Sequence, residues 1–181
     1  PAGGVIGYVG VSGLTFSELY NTGAVTGGDY VGGLAGYLGN GNTLKNAYSS
    51  VVPAGEETAA EDTKLGGVVG YQSGATLEKV FFLQSDGLVG VEGTTAKTAE
   101  ELKKLAANEL SGSFAPDTEN SNGGYPILMW EAAVTGLQIT KAPDKTTYVE
   151  GDAIDLTGMV VTATVNGQET TLDNGLLIVS P

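Results

Sequence analysis

Gly3-Gly4-Val5-Ile6-Gly7-Tyr8 recurs as Gly32-Gly33-Leu34-Ala35-Gly36-Tyr37 and again as Gly66-Gly67-Val68-Val69-Gly70-Tyr71. The copies start 29 and then 34 residues apart. A second shared piece follows each: Phe16-Ser17-Glu18-Leu19-Tyr20, Leu44-Lys45-Asn46-Ala47-Tyr48 and Leu77-Glu78-Lys79-Val80-Phe81, beginning 13, 12 and 11 residues after the first Gly of its copy. Both pieces are short and rich in β-branched, aliphatic and aromatic residues, so each repeat predicts two strands. A unit this small cannot bury its apolar face alone, and stacking one copy on the next makes a continuous core. The expected fold is all-β, a parallel β-helix (solenoid), rather than a small sandwich or barrel of similar hairpins.

Period-two alternation places Phe16, Glu18 and Tyr20 on one face, with Ser17 and Leu19 on the other, and the same holds for the later copies. Two core rows are expected: Tyr8, Tyr37 and Tyr71, and Tyr20, Tyr48 and Phe81. The repeated glycines weaken a strand unless they allow close backbone stacking or positive-φ corners. Val52 to Thr63 reads as an ejected loop between the second and third copies.

Charge and composition narrow the function. The chain has 181 residues, a net charge of -13, 29 glycines, no His and no Cys, and its eight basic residues are all Lys. The absence of His and Cys removes catalytic triads, thiol nucleophiles, tetrahedral zinc sites and disulfides. Without Arg there is no bidentate clamp for phosphate or carboxylate. The acidic balance disfavours nucleic acid and anionic membrane surfaces. No apolar run approaches the ~20 residues of a membrane span, so no membrane insertion is expected. Pro1 is not a natural start, and the chain reads as a piece of a larger protein.

Around Leu19-Tyr20-Asn21-Thr22-Gly23-Ala24-Val25-Thr26-Gly27, continuing through Val31-Gly32-Gly33-Leu34-Ala35-Gly36, the sequence resembles the GLUG repeat of bacterial surface proteins. The other copies match in part, with Ser49-Ser50-Val51-Val52 and Phe82-Leu83-Gln84 in place of the T-G-x-V step. The resemblance covers about the first half of the chain. It implies a β-helical part of a secreted or wall-attached bacterial protein.

Thr98-Ala99-Glu100-Glu101 predicts a capping box, and Leu102, Leu105, Ala106 and Leu110 extend a helix over 98–110. This helix is expected to cover the end of the stack or to brace its side. Asp117, Glu119, Asn120 and Asn122 sit in a polar loop whose spacing fails the calcium-loop pattern. Gly123-Gly124-Tyr125-Pro126-Ile127-Leu128-Met129-Trp130 reads as an edge strand ending in a core or junction tryptophan, and resembles the piece that follows GLUG repeats. The first domain is therefore drawn over 1–133.

Residues 134–181 have the grammar of antiparallel strands, with Asn166-Gly167 as a hairpin turn. Pro143, Lys145, Tyr148, Gly151, Asp155 to Val161 and Asn166-Gly167 resemble a bacterial immunoglobulin-like module that is only partly present. Ile139, Ile154, Leu156, Val161, Ala163 and Leu172 are expected to face inward, leaving strand edges near Ile178 and Val179 open to self-association.

No catalytic, cofactor or metal residues are expected. Glu56, Glu57, Glu61 and Asp62 form a solvated acidic cluster rather than a carboxylate dyad. The expected function is a non-catalytic extracellular surface protein fragment, in adhesion or surface display. Its partner would be a host or cell-surface protein or glycan. The alternative is an accessory region of a larger secreted protease or carbohydrate-active enzyme.

Overall fold

The computed structural model describes residues 1–56, 64–105, 109–110, 112–132, 134–165 and 168–172. The chain is all-β. The first repeat supplies β1 (Ala2–Gly3), β2 (Ile6–Val9), β3 (Thr15–Asn21) and β4 (Thr26–Gly27). The second supplies β5 (Tyr30–Gly32), β6 (Ala35–Leu38), β7 (Thr43–Ser49) and β8 (Ala54–Gly55). The third supplies β9 (Lys64–Gly66), β10 (Val69–Gln72) and β11 (Thr76–Leu83), and β12 (Thr94–Lys97) follows.

Strands at the same place in successive repeats pair in parallel. The sheets run β1–β5–β9, β2–β6–β10, β3–β7–β11–β12 and β4–β8. The same link recurs between neighbours. The Leu34 carbonyl accepts from the amides of Val5 and Ile6 at 3.0 and 2.9 Å, and the Val68 carbonyl accepts from those of Leu34 and Ala35 at 2.8 and 2.9 Å. Leu34, Ala35, Leu38, Leu44, Ala47, Val68, Val69 and Val80 form one buried core with Val9, Leu77 and Phe82.

The glycine pairs permit close approach. A Cβ on Gly32 would lie 2.5 Å from the Gly70 nitrogen and 2.6 Å from the Val68 oxygen, and one on Gly3 would lie 2.6 Å from the Ala35 Cα. None of Gly3, Gly32 and Gly66 has positive φ. The left-handed positions fall instead on Glu18, Asn46 and Lys79, with φ of 54°, 49° and 52°. Each sits at the centre of its long strand, at the same point in each repeat.

This corrects the strict alternation. A left-handed residue breaks the two-residue period, so Phe16 and Leu19 both pack against the inner core, whereas Tyr20 packs with a second cluster. The same split places Leu44 and Ala47 inside and Tyr48 in the second cluster, with Leu77, Val80 and Phe81 following suit.

That second cluster joins Tyr48 and Phe81 to Leu102, Leu105, Leu110 and Phe114. The helix α1 covers Ala99–Lys103 alone, shorter than the expected 98–110. Its capping box is formed: Thr98 accepts from the Glu101 amide, and Glu101 accepts from the Thr98 amide at 2.8 Å. The helix ends at Lys104, whose amide turns back to the Glu101 and Leu102 carbonyls, a tightened last turn. Leu105 and Leu110 reach the cluster from outside it; Ala106 lies outside the described residues. In place of an edge strand over 123–130 there is a two-residue pairing of β13 (Phe114–Ala115) with β14 (Ile127–Leu128).

The chain divides into two compact units, Pro1–Met129 and Trp130–Pro181. In the second, β15 (Val134–Lys141), β16 (Val160–Val165) and β17 (Gln168–Leu172) form an antiparallel sheet with β16 central. Val161 and Ala163 are buried, but Ile139 and Ile154 are exposed, which corrects their inward placement. Ile139 lies on an edge strand, flanked on one side only by β16 among the described residues. The expected turn at Asn166-Gly167 and the edges at Ile178 and Val179 lie outside the described residues, as does the Glu57-to-Thr63 part of the loop.

The packing at Gly32 carries a direct expectation. Gly32→Ala should lower stability by about 2 kcal/mol or more, because backbone atoms rather than flexible side chains block the added methyl. Gly28→Ala, with open space around its Cβ position, should stay within about 0.5 kcal/mol. Chemical denaturation of the two variants checks this.

Candidate functional site

Two aromatic rows emerge from the repeats. In the first, β2, β6 and β10 place Tyr8, Tyr37 and Tyr71 in register. Their rings stack, with centroids 4.8 Å apart for Tyr8–Tyr37 and 5.9 Å for Tyr37–Tyr71. Tyr30 on β5 joins them, 5.1 Å from Tyr71 and 6.2 Å from Tyr37.

This row is not core, contrary to the sequence expectation. Tyr8 is 64% exposed and Tyr71 42%. The inner face of these strands is filled by Ile6, Ala35, Val69 and Leu38, which leaves the tyrosines outside. The result is an outer ladder of four phenols that spans all three repeats, exposed at Tyr8 and Tyr71 and half-buried at Tyr30 and Tyr37. Sequence periodicity missed Tyr30, since Lys64 stands opposite it in the third repeat. A tyrosine two residues before the glycine pair was its only mark.

In the second row, Tyr20, Tyr48 and Phe81 are in register on β3, β7 and β11. Tyr20 and Tyr48 stack at 5.4 Å. Tyr48 is fully buried. Its hydroxyl donates to the Pro126 carbonyl and accepts from Asn122 Nδ2 at 3.1 Å. Asn122 Oδ1 accepts from the Thr22 hydroxyl at 2.9 Å. This row therefore docks the segment that follows the repeats.

Asp117 organises that segment rather than presenting a metal ligand set. Its carboxylate accepts from the amides of Ser121, Asn122 and Gly124 at 2.9, 2.7 and 2.9 Å, and from the Ser121 hydroxyl at 2.9 Å. Partial desolvation works to raise this carboxyl, but the Asn122 and Gly124 amides and the two Ser121 donors outweigh it and hold it below the usual carboxylate range. Among the described residues no group of three or more carboxylates is placed to hold a metal. Glu56 is exposed, and its acidic neighbours Glu57, Glu61 and Asp62 lie outside the described residues.

In the second unit, Trp130 is 79% exposed, which overturns its placement in a core. Tyr148 is a hub for the segment that precedes β16. Its hydroxyl lies 2.8 Å from the Asp155 carbonyl and 3.1 Å from that of Lys145, and accepts from the Asp155 amide at 3.0 Å. Lys145 Nζ sits 4.6 Å over the Tyr148 ring and bonds Asp152 at 2.8 Å. An open recess of about 290 Å³ is lined by Gly136, Leu137, Gln138, Thr162, Thr164 and Glu169. It holds one carboxylate and no basic group.

No helix among the described residues is long and apolar enough to cross a membrane, which leaves strand-built spans unaddressed. No protein-family model, curated protein or solved structure matches the chain.

The two rows differ in what truncation does. Tyr48→Ala should cost about 3 to 5 kcal/mol, since it empties a buried site and removes the hydroxyl that Asn122 and Pro126 share. Tyr8→Ala should cost about 1 kcal/mol or less. Thermal denaturation distinguishes them.

Asp117 sets a pH dependence. A carboxyl whose folded pKa is depressed stabilises the folded state above the unfolded value, about 3.9, and loses that contribution as pH falls through the folded pKa. Asp117→Asn should be less stable than the parent by about 1 to 2 kcal/mol at pH 7, and the two should converge well below pH ~3.9. Denaturation midpoints measured across that range test the sign.

Proposed function

We propose that the chain is a non-catalytic part of an extracellular bacterial surface protein, secreted or wall-attached, with a role in adhesion or surface display. In this reading the three repeats are successive coils of a parallel β-helix of the GLUG type, and an immunoglobulin-like spacer follows. The observation that carries it is the tyrosine ladder: in-register parallel pairing stacks Tyr8, Tyr37 and Tyr71, and Tyr30 from β5 joins them on the same outer surface. Tyrosine supplies contact area and a polar tip at little cost in side-chain freedom. The inventory of side chains supports a binding role over catalysis, because His, Cys and Arg are absent. In the second unit, Lys145, Tyr148, Asp152 and Asp155, from the immunoglobulin-like motif and its surroundings, converge on one hub, which supports the spacer reading.

The partner is a host or cell-surface protein or glycan. Immobilised chain should retain such a partner from panels of matrix proteins and cell-surface glycans. Joint replacement of Tyr8 and Tyr71 by Ala should weaken retention by about tenfold or more, as expected where exposed aromatics anchor an interface. The reading fails if no panel member is retained, or if the double variant binds as the parent does.

A further inference from the structure

We propose that the outer ladder is a site of oxidative tyrosine cross-linking, which joins successive repeats covalently through Tyr8 and Tyr37. This goes beyond the adhesive reading and does not require it. Three observations converge. Tyr8 and Tyr37 lie on neighbouring strands with ring centroids 4.8 Å apart and planes 15° from parallel. Tyr8 is 64% exposed, so an outside oxidant reaches it. The chain has no Cys, so no disulfide can fasten one repeat to the next.

The chemistry is balanced with a peroxide as the oxidant, used by a peroxidase in one-electron steps. Each phenol gives up one electron, and its hydroxyl proton passes to solvent water. The two phenoxyl radicals, with spin shared onto the carbons beside the hydroxyl, form one carbon–carbon bond between those carbons. The hydrogen on each joined carbon then moves, as a proton, to the ketone oxygen of its ring and restores both phenols. One peroxide accepts two electrons and two protons and leaves as two waters. The product has lost two hydrogen atoms.

The ladder favours this outcome over coupling between chains. A radical on one ring has its neighbour within reach before another molecule arrives, because an intramolecular partner is held at a high effective concentration. A net charge of -13 also keeps separate copies apart. The inner row supplies an internal control. Tyr20 and Tyr48 are stacked as well, at 5.4 Å, but Tyr48 is buried and its hydroxyl is engaged by Pro126 and Asn122. Stacking alone predicts a link there; stacking with exposure predicts none.

The test treats the dilute, folded chain with hydrogen peroxide and a haem peroxidase. Biphenol fluorescence, intact mass and peptide mapping are the readouts. The expected result is a monomer lacking two hydrogens for each link formed, with Tyr8 joined to Tyr37 as the main product, a Tyr30–Tyr71 link as a lesser one, and Tyr20 and Tyr48 unlinked. In Tyr37→Phe, Tyr8 should stay unlinked within the chain while Tyr30 and Tyr71, 5.1 Å apart, still couple. The linked chain should keep its β-sheet signal to a higher temperature than the unlinked chain. Links formed only between chains would overturn the proposal. So would a Tyr8–Tyr37 yield no higher than in urea-unfolded chain, coupling of Tyr20 to Tyr48 at equal yield, or an unchanged melting temperature in the linked product.

Discussion

One left-handed residue at the centre of each long strand sets the layout of the first unit. An unbroken strand would send Phe16 and Tyr20 to the same side. With Glu18, Asn46 and Lys79 in the left-handed region, the residues two before and one after the bend both face the interior, and the aromatic two after it (Tyr20, Tyr48 or Phe81) faces the opposite side. For non-glycine residues this conformation costs roughly 1–2 kcal/mol each. It is held because the neighbouring strand bends at the same point. The registers pass from Ser17↔Lys45 to Leu19↔Ala47, and from Glu78↔Lys45 to Val80↔Ala47, skipping the left-handed pair each time. Asn46 Nδ2 also donates to Glu18 Oε1 at 3.3 Å across the bend. Without the bend there would be no second row of Tyr20, Tyr48 and Phe81 for Leu102, Leu105, Leu110 and Phe114 to cover.

Much of this can be traced to spacing, and the departures have identifiable causes. The β class follows from short apolar runs set among glycines, and equal offsets from the glycine pair to the tyrosine are what allow Tyr8, Tyr37 and Tyr71 to meet. Their exposure was not legible, because a tyrosine at a repeated offset fits an inner or an outer row equally well. The small residues opposite decided it: Ala35 and Val69, with Leu34 and Val68, already fill the interior. The left-handed bend was hidden because Glu, Asn and Lys share no chemistry that marks the position. A glycine there would have announced it, whereas the glycines that do recur serve close approach.

The helix and the second unit show the same limit. The capping box fixed where α1 begins, since Thr98 and Glu101 satisfy each other's amides locally. Its end depended on tertiary contacts that periodicity does not encode. Leu105 and Leu110 reach the Tyr48 cluster without continuing the helix. Ile139 has the pattern of an inward residue and lies opposite the buried Val161, but it sits on the margin strand of the described sheet, where the cover over Val161 does not extend. Tyr148 drew attention through a spacing, and its role became visible only when its hydroxyl met the backbone of Asp155.

The contact between Tyr48 and the segment around Asn122 and Pro126 has a mechanical consequence. In parallel sheets the hydrogen bonds point along the direction in which the repeats follow one another. A pull in that direction opens strand pairs in sequence, and each opening meets only a few bonds at a time. Tension that enters the chain at Met129 meets the short β13–β14 pairing and then Pro126 and Asn122, which are fastened to Tyr48 in the middle repeat and to Thr22 in the first. Load is thereby passed to the centre of the stack, past β11 and β12 at its margin. The buried tyrosine works as a strain-relief anchor, and the last strands are spared until that anchor gives way.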